Sequence, residues 1–229
     1  MGKILTICLM LTPGLAHAQV SRARAEVFEK TFEAVFEENL KEGDKTLDVE
    51  LWWDREEVNA TFEKWNGRFR VILYEGLLKR PGFDEDALAA VTCHELGHMM
   101  GGPPIWDVSS VETATNEGQS DYWAARECLP SVLKRIAASG AASTKTTAKA
   151  CRSAKDAALC ERIAMAGYKM VRTFKAVDND DSPLSFETRD KKDARKGAII
   201  NIHPSYQCRI DTFLAGASGA SRPKCWYNP

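Results

Sequence analysis

The chain has 229 residues, 44% of them hydrophobic, which is enough for one domain with a real core. Its 31 basic residues nearly balance 32 acidic ones, giving a net charge of −1 with no basic stripe, and this argues against nucleic acid as a partner.

Residues 1–18 read as a secretory signal peptide. Lys3 supplies the positive end, Ile4 to Leu15 the apolar stretch, and Ala16-His17-Ala18 an A-x-A cleavage site. The apolar run is short for a membrane span, and an uncleaved anchor is the alternative. Cleavage leaves residues 19–229 as one domain with no stable membrane span, exported to a periplasm or secreted. Six cysteines then remain, and an even number in an exported chain favours disulfides, with fifteen full pairings open. Cys151 and Cys160 flank an alanine-rich segment that one or two bridges, also involving Cys128, would tie down. Cys208 and Cys225 are placed to pair across the C-terminal segment. Cys93 is expected as a buried thiol or in a bridge.

In chain order, Arg22 to Leu40 carries Val27, Phe28, Phe32, Val35 and Phe36 at three- and four-residue spacings, an amphipathic helix. Leu47 to Trp52 alternates like a strand, and Trp52 and Trp53 belong either to the core or to a cleft. Val58 to Trp65 and Arg68 to Tyr74 read as two further strands joined by Asn66-Gly67, a favoured two-residue hairpin turn. Phe83-Asp84-Glu85-Asp86 opens a helix that continues through Ala87 to Val91, and Gly101-Gly102-Pro103-Pro104 stops it. A second helix starts near Asn116-Glu117. Residues 137–150 form either a flexible loop or a polar helix, and residues 178–193 read as a mobile, charged surface loop.

The first of these two helices contains His94-Glu95-Leu96-Gly97-His98, the H-E-x-x-H pattern of zinc hydrolases. A four-residue step brings His94 and His98 onto one helix face, where both imidazoles can grip one ion. Glu95, one residue on, sits where it can act as general base on water at that ion. A catalytic zinc usually has three protein ligands, and Glu117 is the candidate for the third. Asp121, four residues later on the same face, is the candidate acceptor for a ligand histidine's free N–H. The alternative for Glu117 and Asp121 is an ordinary solvated helix face.

Together these motifs resemble the HtpX, CAAX-prenyl-protease and BepA family of gluzincin zinc metallopeptidases. The resemblance runs through Val58-Asn59-Ala60, Gly76-Leu77-Leu78, H-E-x-x-H and Glu117-x-x-x-Asp121. It resumes at His203-Pro204 with Arg209-Ile210. It implies an α+β, zincin-like domain, with a small antiparallel or mixed sheet beside the active-site helix and mostly helix elsewhere. It implies Zn2+ held by His94, His98 and Glu117, with Glu95 as base. It also puts His203 and Arg209 near the cleft, His203 either stabilising an oxyanion or blocking the metal in a latent form. A loop histidine and a structural arginine are the alternatives. The chain departs from many relatives in lacking membrane helices after its N-terminus. Its interval from H-E-x-x-H to Glu117 is also much shorter than in the membrane members, and a similar interval with Asn-Glu-Gly occurs in aminopeptidases of another gluzincin family.

The expected function is therefore an exported zinc endopeptidase acting on peptide or unfolded protein. The alternative is a latent or non-catalytic zinc-bound chaperone for cell-envelope proteins. An aminopeptidase would need an acidic exopeptidase motif, and none is evident.

Overall fold

A computed structural model describes residues 20–107, 113–138, 143–195, 197–198 and 202–229. The expected signal peptide lies outside the described residues. The fold is α+β, as expected.

Helix α1 (Arg22–Val35) is capped by Ser21, whose hydroxyl accepts from the Arg24 N–H, and continues as a π-helical turn, Phe36–Leu40. Its buried face is Ala25, Phe28, Phe32 and Val35. Val27, expected on that face, is 66% exposed, because it is rotated about 100° from Phe28 on the helix.

Strands β1 (Thr46–Trp52), β2 (Ala60–Trp65) and β3 (Arg68–Tyr74) make one mixed sheet in the order β1-β3-β2. β1 runs parallel to β3, and β2 runs antiparallel to it. Leu47, Val49, Phe69, Val71 and Leu73 point into the core, while Asp48 and Glu50 pair outside with Arg68 and Arg70. The β2–β3 turn has φ of 46° at Asn66 and 76° at Gly67, the doubly positive pair that Asn-Gly tolerates. β2 is thereby left as a sheet edge.

A short helix α2 (Glu75–Leu78) leads to α3 (Glu85–Met100), the central helix, buried from Glu85 to Met99. Asp84 caps it by accepting from the Ala87 N–H at 3.1 Å. The acidic start is favourable at a helix N-terminus, but here it is also buried and paired. Asp84 meets Lys169, Glu85 meets Arg24, and Asp86 lies 2.7 Å from Arg162. After α3 a two-stranded ribbon, β4 (Ile105–Asp107) with β5 (Thr113–Thr115), turns the chain back into α4 (Glu117–Trp123). Asn116 caps α4 by accepting from the Gln119 N–H at 2.8 Å.

A π-helical turn, Ala124–Cys128, and α5 (Leu129–Val132) follow. The segment left open between loop and helix contains α6 (Lys145–Cys151). Helix α7 (Ala157–Val177), not anticipated as a long element, packs along α3 with Ile163, Ala164, Gly167, Met170 and Val171 buried. Residues 178–193 are irregular, as expected, and a short strand β6 (Gly197–Ala198) lies beyond them. Helix α8 (Tyr206–Ser218) packs on α7 and α4, and β7 (Tyr227–Asn228) pairs with β6. Among the described residues no helix is long and apolar enough to cross a membrane.

Three disulfides link Cys93–Cys128, Cys151–Cys160 and Cys208–Cys225. The first ties α3 to the turn that follows α4. These helices approach closely at Gly97, where an added Cβ would lie 3.0 Å from the Ser120 backbone. A side chain there would push the two motif-bearing helices apart.

Candidate active site

The H-E-x-x-H helix and α4 meet face to face, and their chemistry-bearing side chains converge. Glu117 Oε2 lies 3.2 Å from His94 Nε2 and 3.5 Å from His98 Nε2. The two ring nitrogens are 3.2 Å apart. His203, on the loop before α8, brings its own Nε2 to 3.0 Å from the same carboxylate oxygen although its side chain is 61% exposed. Among the described residues, His94, Glu117 and His203 each offer a ligand atom within 4.8 Å of the others.

The outer nitrogens explain why the inner ones point as they do. His94 Nδ1 lies 2.7 Å from Asp121 Oδ1, so this N–H is donated to the carboxylate. His98 Nδ1 lies 2.8 Å from the Thr115 carbonyl, which can only accept, and 3.1 Å from Ser120 Oγ. When neutral, as a ligand must be, both rings are thus held in the tautomer that turns an Nε2 lone pair inward. Arg209 completes the support for His94: its Nε and one terminal nitrogen each donate to Asp121 at 2.8 Å. Arg209 and Asp121 are both buried.

The electrostatics follow this wiring. Burial opposes a charge on His94, but Asp121 and Glu117 outweigh it and lift its pKa to about 10. Burial likewise works against ionised Asp121, yet Arg209 and His94 bring it down to about 2. Glu117 is held far below the usual carboxylate range, despite burial, by the imidazoles of His203, His94 and His98 crowded around it. Glu95 goes the other way: burial raises its pKa, and the nearby histidines only partly oppose that.

The donor set fits a borderline-soft divalent ion. Two neutral imidazoles and a carboxylate are an ordinary zinc ligand set. Glu117 Oε2 is buried and lacks a hydrogen bond of proper geometry, although three ring nitrogens crowd it. A buried carboxylate oxygen left that way is costly unless a cation serves it.

The site opens into a cleft of about 1320 Å³, bounded by residues 58–64 on one side and by Met170, Phe174 and Val177 of α7 on the other. His94, Glu95, His98, Glu117, His203 and Arg209 all line it. Asp121 lies behind, in contact with His94 and Arg209. All seven residues singled out in the sequence are therefore brought together. Those not singled out include Thr115 and Ser120, which orient His98, and Phe62, which stacks on it. The α7 wall was missed too, though its three- and four-residue apolar spacing is visible in the sequence.

The family model for peptidase family M48 matches residues 22–157. That span includes H-E-x-x-H and Glu117 and stops before His203 and Arg209. No curated protein and no solved structure gives a significant match. By the family match, which covers more than half of its length, the chain belongs to peptidase family M48, a family of metal-dependent peptidases.

Proposed function

We propose that the chain is an exported zinc endopeptidase that uses Glu95 as general base. The observation carrying this reading is the convergence of His94, His98 and Glu117 on one point beside buried Glu95, at the floor of an open cleft. Those three residues would hold the ion. When bound, zinc supplies Lewis-acid chemistry, acidifying water and polarising a carbonyl. Glu95 takes the proton from the attacking water and passes it to the leaving amine, and its raised pKa suits a group that must hold a proton between those steps. Asp121 keeps His94 oriented and Arg209 keeps Asp121 ionised. An extended peptide can add to the edge strand β2 through main-chain hydrogen bonds, which favours peptide substrates without setting their sequence. Export is supported by the signal-like residues 1–18 and by three disulfides, which persist in oxidising compartments.

The test compares wild type with Glu95→Gln, both with disulfides intact and supplied with zinc, by mass spectrometry of an unfolded protein mixture. Cleavage by wild type alone is expected. Equal cleavage by both would remove Glu95 from the mechanism.

A second reading, a latent or non-catalytic envelope assembly factor, is favoured by one contact. His203 stands 3.0 Å from Glu117 Oε2, where it would compete with water or substrate for the ion. Higher turnover in His203→Ala supports latency, whereas lost turnover supports oxyanion stabilisation.

A further inference from the structure

Behind the His98 ring the protein holds Nδ1, while Nε2 faces His94 Nε2 at 3.2 Å and Glu117 Oε2 at 3.5 Å on the side where the ion would sit. Nδ1 is fixed by the Thr115 carbonyl at 2.8 Å and by Ser120 Oγ at 3.1 Å. A hydrogen bond at one ring atom sets where that atom sits. It does not stop the ring from tilting about it, and any tilt carries Nε2 away from its neighbours. The tilt is resisted from the ring face instead. Phe62 lies on the imidazole with centroids 4.7 Å apart and planes 20° from parallel. That offset-parallel contact restrains rotation and excludes water from one side of the ring.

Phe62 is itself firmly placed. It belongs to β2, opposite Val71 in the antiparallel register with β3. It is half-buried and faces the cleft as well as His98. His94 has a different arrangement, a carboxylate and an arginine behind Nδ1. The two histidines of the motif are therefore supported unequally, one by buried charge and the other by a carbonyl, a hydroxyl and an aromatic face.

We propose that Phe62 is a positioning residue that holds the His98 imidazole in its metal-ligating orientation. This rests on the reading of His98 as a ligand. Phe62 touches no reacting atom; it acts through His98. The sheet edge that would receive a peptide and one ligand of the ion thus share a side chain. Outer residues that orient metal ligands typically change affinity by about 10–100-fold when removed.

The experiment measures zinc affinity by chelator competition, and the visible spectrum of the cobalt(II)-substituted protein, for wild type, Phe62→Ala, Phe62→Leu, Phe62→Tyr and His98→Ala. Phe62→Ala and Phe62→Leu are expected to weaken zinc binding by about 10-fold or more and to alter the cobalt spectrum. Phe62→Tyr, which keeps a flat ring, is expected to restore both. Phe62→Leu keeps apolar bulk and carries the test if the alanine variant folds poorly. Wild-type affinity and spectrum in Phe62→Leu would overturn the proposal, because apolar filling would then suffice. Unchanged zinc binding in His98→Ala would instead overturn the ligand assignment beneath it, so the two failures are distinguishable.

Discussion

Arg209→Met tests whether the charge behind His94 is a structural necessity of the fold. The substitution keeps much of the side chain's length and apolar bulk but removes the guanidinium. Asp121, 0% exposed, would lose two charge-assisted hydrogen bonds of 2.8 Å each and keep its contact with His94. Hydrogen bonds to charged groups are worth about 1.5–3 kcal/mol each. Two of them give about 3–6 kcal/mol, in line with the cost of about 3–5 kcal/mol for breaking a buried ion pair by removing one partner. Urea unfolding of the metal-free, disulfide-intact protein, followed by circular dichroism, is the assay. Arg209→Met is expected to lose about 3–5 kcal/mol. Adding Asp121→Asn to it should recover at least about 1 kcal/mol, since the uncharged amide no longer needs the guanidinium. A loss below about 1 kcal/mol in the single variant would refute the argument, because Asp121 would then be served adequately without Arg209.

Gly118→Ala should destabilise by overpacking: its Cβ would lie 2.2 Å from Trp226 Cδ2, and Trp226 is fully buried. A lower melting temperature with altered tryptophan fluorescence is expected, partly reversed by Trp226→Leu; an unchanged melt would show that the C-terminal tail yields freely. The metal-free protein should lose stability as pH rises. His94 titrates at about 10 in the fold against 6.5 ordinarily, so its contribution is complete below pH 6.5 and gone above about 10. Melting temperatures that stay level or climb across that range would contradict the wiring of His94 to Asp121 and Glu117.

Local rules made much of this architecture legible. His94 and His98 share a face because a helix repeats every 3.6 residues, and Asp84 and Asn116 are caps whose side-chain oxygens suit helix starts. Asn66-Gly67 marked its hairpin because few other residues accept two positive φ values in succession. What stayed hidden depends on packing between distant segments. A carbonyl such as that of Thr115 has no signature in sequence, and Phe62 reads as one more apolar residue on a strand. Helix α7 shows that a regular apolar spacing says little about which neighbour it will cover; here it covers α3 and walls the cleft. Val27 fell on the wrong face because the neighbouring Phe28 satisfies the spacing better. His203 and Arg209 reach the site across about ninety residues of chain from Glu117, a distance that only recognition of a family pattern could bridge.

The order of the bridges has a consequence for how the molecule is made. Among the described residues each cysteine pairs with its neighbour along the chain, so no bridge encloses another of these cysteines or crosses another bridge. A polypeptide emerging N-terminus first into an oxidising space would meet its partners in that same succession. Of the fifteen possible pairings, the native one is the outcome of sequential capture and demands no reshuffling. In that succession the Cys93–Cys128 link would join the helix bearing His94 to the turn after the one bearing Glu117 before the final helix had emerged. The half of the site bearing His94 and Glu117 would then be covalently joined before the half bearing His203 and Arg209 arrives to cover it.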